Sequence, residues 1–140
     1  MNKASVIYAT KTGHSKKIAK TVAAALGVSA QNVRSKPQLT DTELLFIVGG
    51  IYAGESSPEL LEYVSTLSPQ QAKRAALITS CTTGTQGQKS ARARLEQNGI
   101  PVADEYLCYG SFLFMRVGHP NKSEQQGAAA FALALVGQEG

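Results

Sequence analysis

Runs of consecutive apolar residues alternate along this chain with stretches in which apolar residues return every three or four positions. Ala4–Ala9, Leu44–Val48 and Ala75–Thr79 are short apolar runs between polar flanks, as expected of strands buried on both faces. Val102–Tyr109 reads as a further strand, and its polar first half, with Asp104 and Glu105, suits a sheet edge. A weaker strand falls near Asn32–Ser35, ahead of Pro37 and a polar stretch too short for a full helix. Ile18, Ala19, Val22, Ala23 and Leu26 share one face of a helix over Ser15–Leu26, with Gly27 placed to cap it. Ser57 is an N-cap before Pro58 at the first helical position, and Leu60, Leu61, Val64 and Leu67 make that helix's buried face. A helix over Gln88–Asn98 ends at Gly99, with Pro101 just beyond. After a linker at Gly110–Gly118, Asn121 and Glu124 form a capping-box-like start to an alanine-rich helix reaching about Val136.

Strands alternating with helices predict βαβ units, hence an α/β fold with a parallel sheet covered by helices on both faces. A chain of 140 residues is expected to form one such domain, 1–140. In open parallel sheets, ligands gather outside the carboxyl ends of the strands, where strand order reverses. Three loops leave the carboxyl ends of strong strands here: Thr10–Ser15, Gly49–Ser56 and Ser80–Gly87. All three are rich in Gly, Ser and Thr, which predicts one binding site where they converge.

The composition, 43% hydrophobic and 17% charged, is that of a globular chain. No apolar run approaches the roughly 18 residues a membrane span needs, and no secretory pattern opens the chain, so no membrane association and a cytoplasmic location are expected. Cys81 and Cys108 are then free thiols, and with His14 and His119 they show no metal-binding spacing, so no metal is expected. The net charge of +4 is uneven: seven basic and no acidic residues up to Lys36, then five acidic and no basic ones from Asp41 to Glu62. The basic block suits an anionic ligand or an acidic partner, or it is a solvated lysine face at Lys16, Lys17 and Lys20. Without interleaved aromatics or a recognition motif, it gives no reason to expect nucleic acid as a partner.

Thr10-Lys11-Thr12-Gly13-His14-Ser15 carries the clearest chemistry. A helix start leaves backbone N–H groups unpaired and its dipole favours negative charge, so a hydroxyl- and glycine-rich turn there can hold a phosphate. The same residues would also serve as an ordinary strand-to-helix turn with no ligand. Neither G-x-x-x-x-G-K-[ST] nor G-x-G-x-x-G is present.

With these motifs the chain resembles the flavodoxin family over essentially its whole length. The Thr-x-Thr-Gly-x-Ser pattern at 10–15 looks like that family's loop for the phosphate of flavin mononucleotide (FMN). Gly50-Ile51-Tyr52-Ala53-Gly54 looks like the loop beside the flavin ring, and Gly118-His119-Pro120 is similar to a pattern in some short members. The resemblance implies a five-stranded sheet of order 2-1-3-4-5 and FMN as cofactor. It implies that Thr10, Thr12, Gly13, His14 and Ser15 hold the phosphate, with Lys11 adding charge. A peptide near Gly54 would turn over on reduction, its carbonyl then accepting from flavin N5–H, and Tyr52 would pack on the ring. Ser80, Cys81, Thr82, Thr83 and Gly84 would form the third cofactor-binding loop, with Thr82, Thr83 and Gly84 offering backbone donors to the pyrimidine end, although this loop lacks the tyrosine that many members place there.

The implied function is electron transfer between redox partner proteins, a reductase and an acceptor, with no catalytic residue of the chain's own. The missing aromatic wall leaves open an FMN-dependent oxidoreductase acting on a small substrate such as a quinone. A flavin-free binding domain of the same fold is the third reading.

Overall fold

The computed structural model describes residues 4–9, 14–50, 58–80, 88–108 and 122–139. They form five strands and four helices: β1 (Ala4–Tyr8), α1 (His14–Leu26), β2 (Ala30–Asn32), β3 (Thr42–Gly50), α2 (Pro58–Ser65), β4 (Ala72–Ser80), α3 (Lys89–Gln97), β5 (Val102–Cys108) and α4 (Lys122–Glu139). All the strands pair in parallel, in the order β2-β1-β3-β4-β5. The chain therefore has the α/β, flavodoxin-like sheet that the resemblance implies. Among the described residues, no helix is long and apolar enough to cross a membrane.

The continuous apolar runs are explained by burial on both sides of the sheet. Successive strand residues point to opposite faces, so Val6, Tyr8, Phe46, Val48, Ala76 and Ile78 pack with α1 and α4. Ile7, Leu45, Ile47, Ala75 and Leu77 pack with α2 and α3 on the other side. Each fully buried Leu, Ile or Phe contributes about 1.5–3 kcal/mol. Small residues, Ala19 and Ala23 on α1 and Ala128 and Ala132 on α4, line the core between those two helices.

Helices α1 and α3 stop in the same way. Gly27 and Gly99 take positive φ, 75° and 83°. The N–H of Val28 donates to the carbonyl of Ala23, and that of Ile100 to Leu95, both at 2.9 Å. Gly27 and Gly99 donate in turn to Ala24 and Glu96. These paired bonds satisfy carbonyls that a helix end otherwise leaves open.

Among the boundaries that differ from the sequence reading, three bear on the rim or the core. β2 covers Ala30–Asn32, and Val33–Ser35 is a 3-10 turn. The Asn32 side chain accepts from the N–H of Arg34 and caps that turn, while Val33 buries itself beneath α2. Local side-chain capping there outcompetes the strand ladder. Gly49 and Gly50 are the last residues of β3, paired with Thr79 and Ser80 of β4. Ser68 closes a turn with Gln71 and leads into β4, which starts at Ala72 although Lys73 and Arg74 follow.

Candidate functional site

Register brings the strand ends to one rim. Gly50 pairs with Ser80, and Ser80 with Cys108, so β3, β4 and β5 end level. β1 ends beside them, with Tyr8 opposite Val48 and the Ala9 N–H donating to the Val48 carbonyl at 3.1 Å. In the sequence, segments 10–13, 51–57 and 81–87 follow the ends of this edge's described strands β1, β3 and β4. Thr10, Lys11, Thr12, Gly13, Ile51, Tyr52, Ala53, Gly54, Cys81, Thr82, Thr83 and Gly84 therefore lie outside the described residues. Of the other candidates, His14 and Ser15 open α1, and Gly50 and Ser80 end β3 and β4.

The three helices that start along this rim differ in how their positive ends are satisfied. α1 has no acidic residue in its first turn. It has instead Lys16 and Lys17, with Lys20 one turn on, all exposed. Positive side chains at a helix N-terminus oppose the macrodipole, costing about 0.3–1 kcal/mol each. Ser15, only 1% exposed, has its Oγ buried with no hydrogen-bond partner among the described residues. An unpaired buried hydroxyl costs about 1–3 kcal/mol. Both penalties turn into favourable terms when an anion sits at the helix start, so these residues fit a bound phosphate.

The other two starts already face a carboxylate. α2 has Glu59 in its first turn, ion-paired with Arg34. That pairing holds the Arg34 guanidinium pKa above its ordinary value. α3 has no acid in its first turn and no side-chain cap of its own. Glu105 reaches over from β5 instead. Its Oε2 accepts from the Gln88 backbone N–H at 2.9 Å and from Thr79 Oγ1 at 3.1 Å, and its Oε1 accepts from Arg92 Nη2 at 3.2 Å.

Gln88 extends this network beneath the rim. Its side chain is fully buried. Nε2 donates to the carbonyls of Ile47 and Ile78 at 3.3 and 3.1 Å, and to Thr79 Oγ1 at 3.1 Å. Gly49 makes room for it: a Cβ there would stand 2.9 Å from Leu60 Cδ2 and 3.3 Å from Gln88 Oε1. The sequence reading places Glu105 only as a polar residue of an edge strand and Gln88 only as the first residue of a helix, whereas Gln88 is the N-cap ahead of α3. A carboxylate next to the apolar Tyr106-Leu107 pair was the one available signal.

A cavity of about 530 Å³ lies elsewhere, between residues 33–38 and α2. Tyr63 closes one wall, its hydroxyl donating to the Pro37 carbonyl at 2.5 Å, and burial pushes its pKa up. Its charged lining includes the Arg34–Glu59 pair, which is already satisfied.

A family model described as a flavodoxin domain matches residues 5–114. The fold is similar to that of a short-chain flavodoxin associated with a non-canonical PDU bacterial microcompartment. That match has a TM-score of 0.71 and 15% identity and covers 100% of both chains. Oxidised flavodoxin 2 from Bacillus cereus superposes with a TM-score of 0.69 at 13% identity, covering 97% of this chain and 99% of that one. Rubredoxin oxygen:oxidoreductase from Desulfovibrio gigas gives 0.68 at 14% identity, over 95% of this chain but 35% of that longer one. No curated protein sequence matches the chain significantly.

Proposed function

We propose that this chain, which belongs to the flavodoxin family, binds FMN non-covalently at the carboxyl rim of its sheet and carries electrons between redox partners. The observation that carries this reading is the start of α1, where, among the described residues, a buried Ser15 hydroxyl lacks a partner and the first turn holds no acidic residue to answer the helix dipole. The starts of α2 and α3, by contrast, face Glu59 and Glu105.

When bound, FMN supplies one- and two-electron redox chemistry, which the protein tunes by hydrogen bonding and charge. The chain's part is to bind and orient. Backbone N–H groups at the start of α1, with the hydroxyls of Thr10, Thr12 and Ser15, would hold the phosphate. Gly13 and His14 complete that turn, and Lys11 adds charge. Gly50 to Gly54 would lie beside the ring, with Tyr52 packing on it, and in the loop Ser80 to Gly84 the backbone of Thr82, Thr83 and Gly84 would offer donors to its pyrimidine end. This division of labour needs no general base or nucleophile.

Titration of flavin-stripped protein with FMN, followed by flavin fluorescence, tests the reading. One-to-one quenching is expected, and an absence of uptake would refute it. The carrier role predicts that a nicotinamide donor reduces the loaded protein only when a partner reductase is present. Direct steady-state quinone reduction would point to an enzyme instead.

A further inference from the structure

Resting on the FMN reading above, the geometry points to Glu105 as a positioning residue of the flavin site, acting through Gln88. Gln88 is where the chain rejoins the described fold after segment 81–87. A helix start can be capped locally, by a Ser, Thr, Asp or Asn of its own. Such a cap fixes the helix end but not its place relative to the sheet. α3 has no such cap. Its first N–H is held by a carboxylate seventeen residues away on the neighbouring edge strand.

The consequence is a tie across three strands. Glu105 on β5 binds Thr79 on β4. Gln88 binds Thr79, the Ile78 carbonyl on β4 and the Ile47 carbonyl on β3. Glu105 accepts from both ends of this tie through one oxygen, Oε2, while Arg92 occupies the other. The Glu105 side chain is 18% exposed. A carboxylate so far removed from water is costly unless its lone pairs are engaged, and here three donors engage them. Removing it would leave the buried Thr79 hydroxyl and the Gln88 N–H without their acceptor. Gln88, the point at which the chain rejoins the described fold after the third rim segment, would lose its fixed place.

The test uses the full-length protein with E105A and E105Q. FMN dissociation constants come from fluorescence, the bound flavin's visible circular dichroism reports its seating, and far-UV circular dichroism reports the fold. E105A is expected to weaken FMN binding by about tenfold or more, as loss of a charged acceptor implies, and to alter the visible spectrum with the far-UV spectrum unchanged. E105Q keeps an oxygen for the Gln88 N–H and is expected to restore affinity to within about threefold. Should E105A fail to fold, E105D decides, because it keeps the charge but is too short to reach Gln88; the same loss is expected. Wild-type affinity and spectrum in E105A or E105D, or a loss that E105Q leaves unrescued, would overturn this proposal alone. Wild-type protein that takes up no FMN would overturn both readings.

Discussion

A Cβ built on Gly127 would lie 2.1 Å from the hydroxyl of Tyr106. The Tyr106 ring is itself wedged against Phe131, centroids 5.4 Å apart, so it has little room to retreat. Glycine at this position lets α4 settle on the edge strand. G127A is expected to cost about 1–3 kcal/mol through overpacking. Thermal or urea denaturation of the protein checks it. Adding Y106F should recover part of the loss, because the nearest remaining ring atom is Cζ at 3.1 Å. A double-mutant cycle in which the two changes simply add would contradict the contact.

Ser15 separates stability from binding. Its buried hydroxyl has no partner among the described residues, so S15A should leave the flavin-free protein as stable as before, or up to about 1 kcal/mol more so. The same change should weaken FMN binding by about tenfold, the value of a hydrogen bond to a charged group. Denaturation of the apoprotein and a fluorescence titration give the two numbers. Equal affinity in S15A would remove the phosphate from this helix start.

Lys16 and Lys17 oppose the dipole of α1 in the same sense. K16Q/K17Q is expected to raise apoprotein stability by about 0.3–1 kcal/mol per site at low salt. FMN affinity should fall, and its dependence on ionic strength should flatten, since exposed charges are screened over about 10 Å at 0.1 M salt. Titrations at two salt concentrations measure both effects.

The basic block up to Lys36 bears on redox potential as well. An acidic protein disfavours extra negative charge on a reduced flavin, and positive charge near the phosphate acts oppositely. The second-electron potential is expected to be less negative than in acidic flavodoxins. Potentiometric titration of the FMN complex decides; an equally negative value contradicts the expectation.

Much of this architecture is visible in one dimension because it depends on local rules. Two-sided burial makes β1, β3 and β4 read as unbroken apolar runs, and the α1 face repeats with helical spacing. Gly27 and Gly99 announce helix ends because few other residues accept their φ. β2 was displaced because it is three residues long and leans on the Asn32 cap beside it, which leaves too little periodicity to register.

What the residue order determined alone was the alternation of strand and helix, the helix stops, and the three Gly-, Ser- and Thr-rich segments that follow strong strands. Each depends on neighbours within a few positions. Only the tertiary structure decided that Ser15 turns inward without a partner among the described residues and that Glu105 answers the start of α3. These facts depend on which surfaces come together when the sheet is assembled. A carboxylate finds its N–H across seventeen residues of chain, and no local periodicity encodes that meeting.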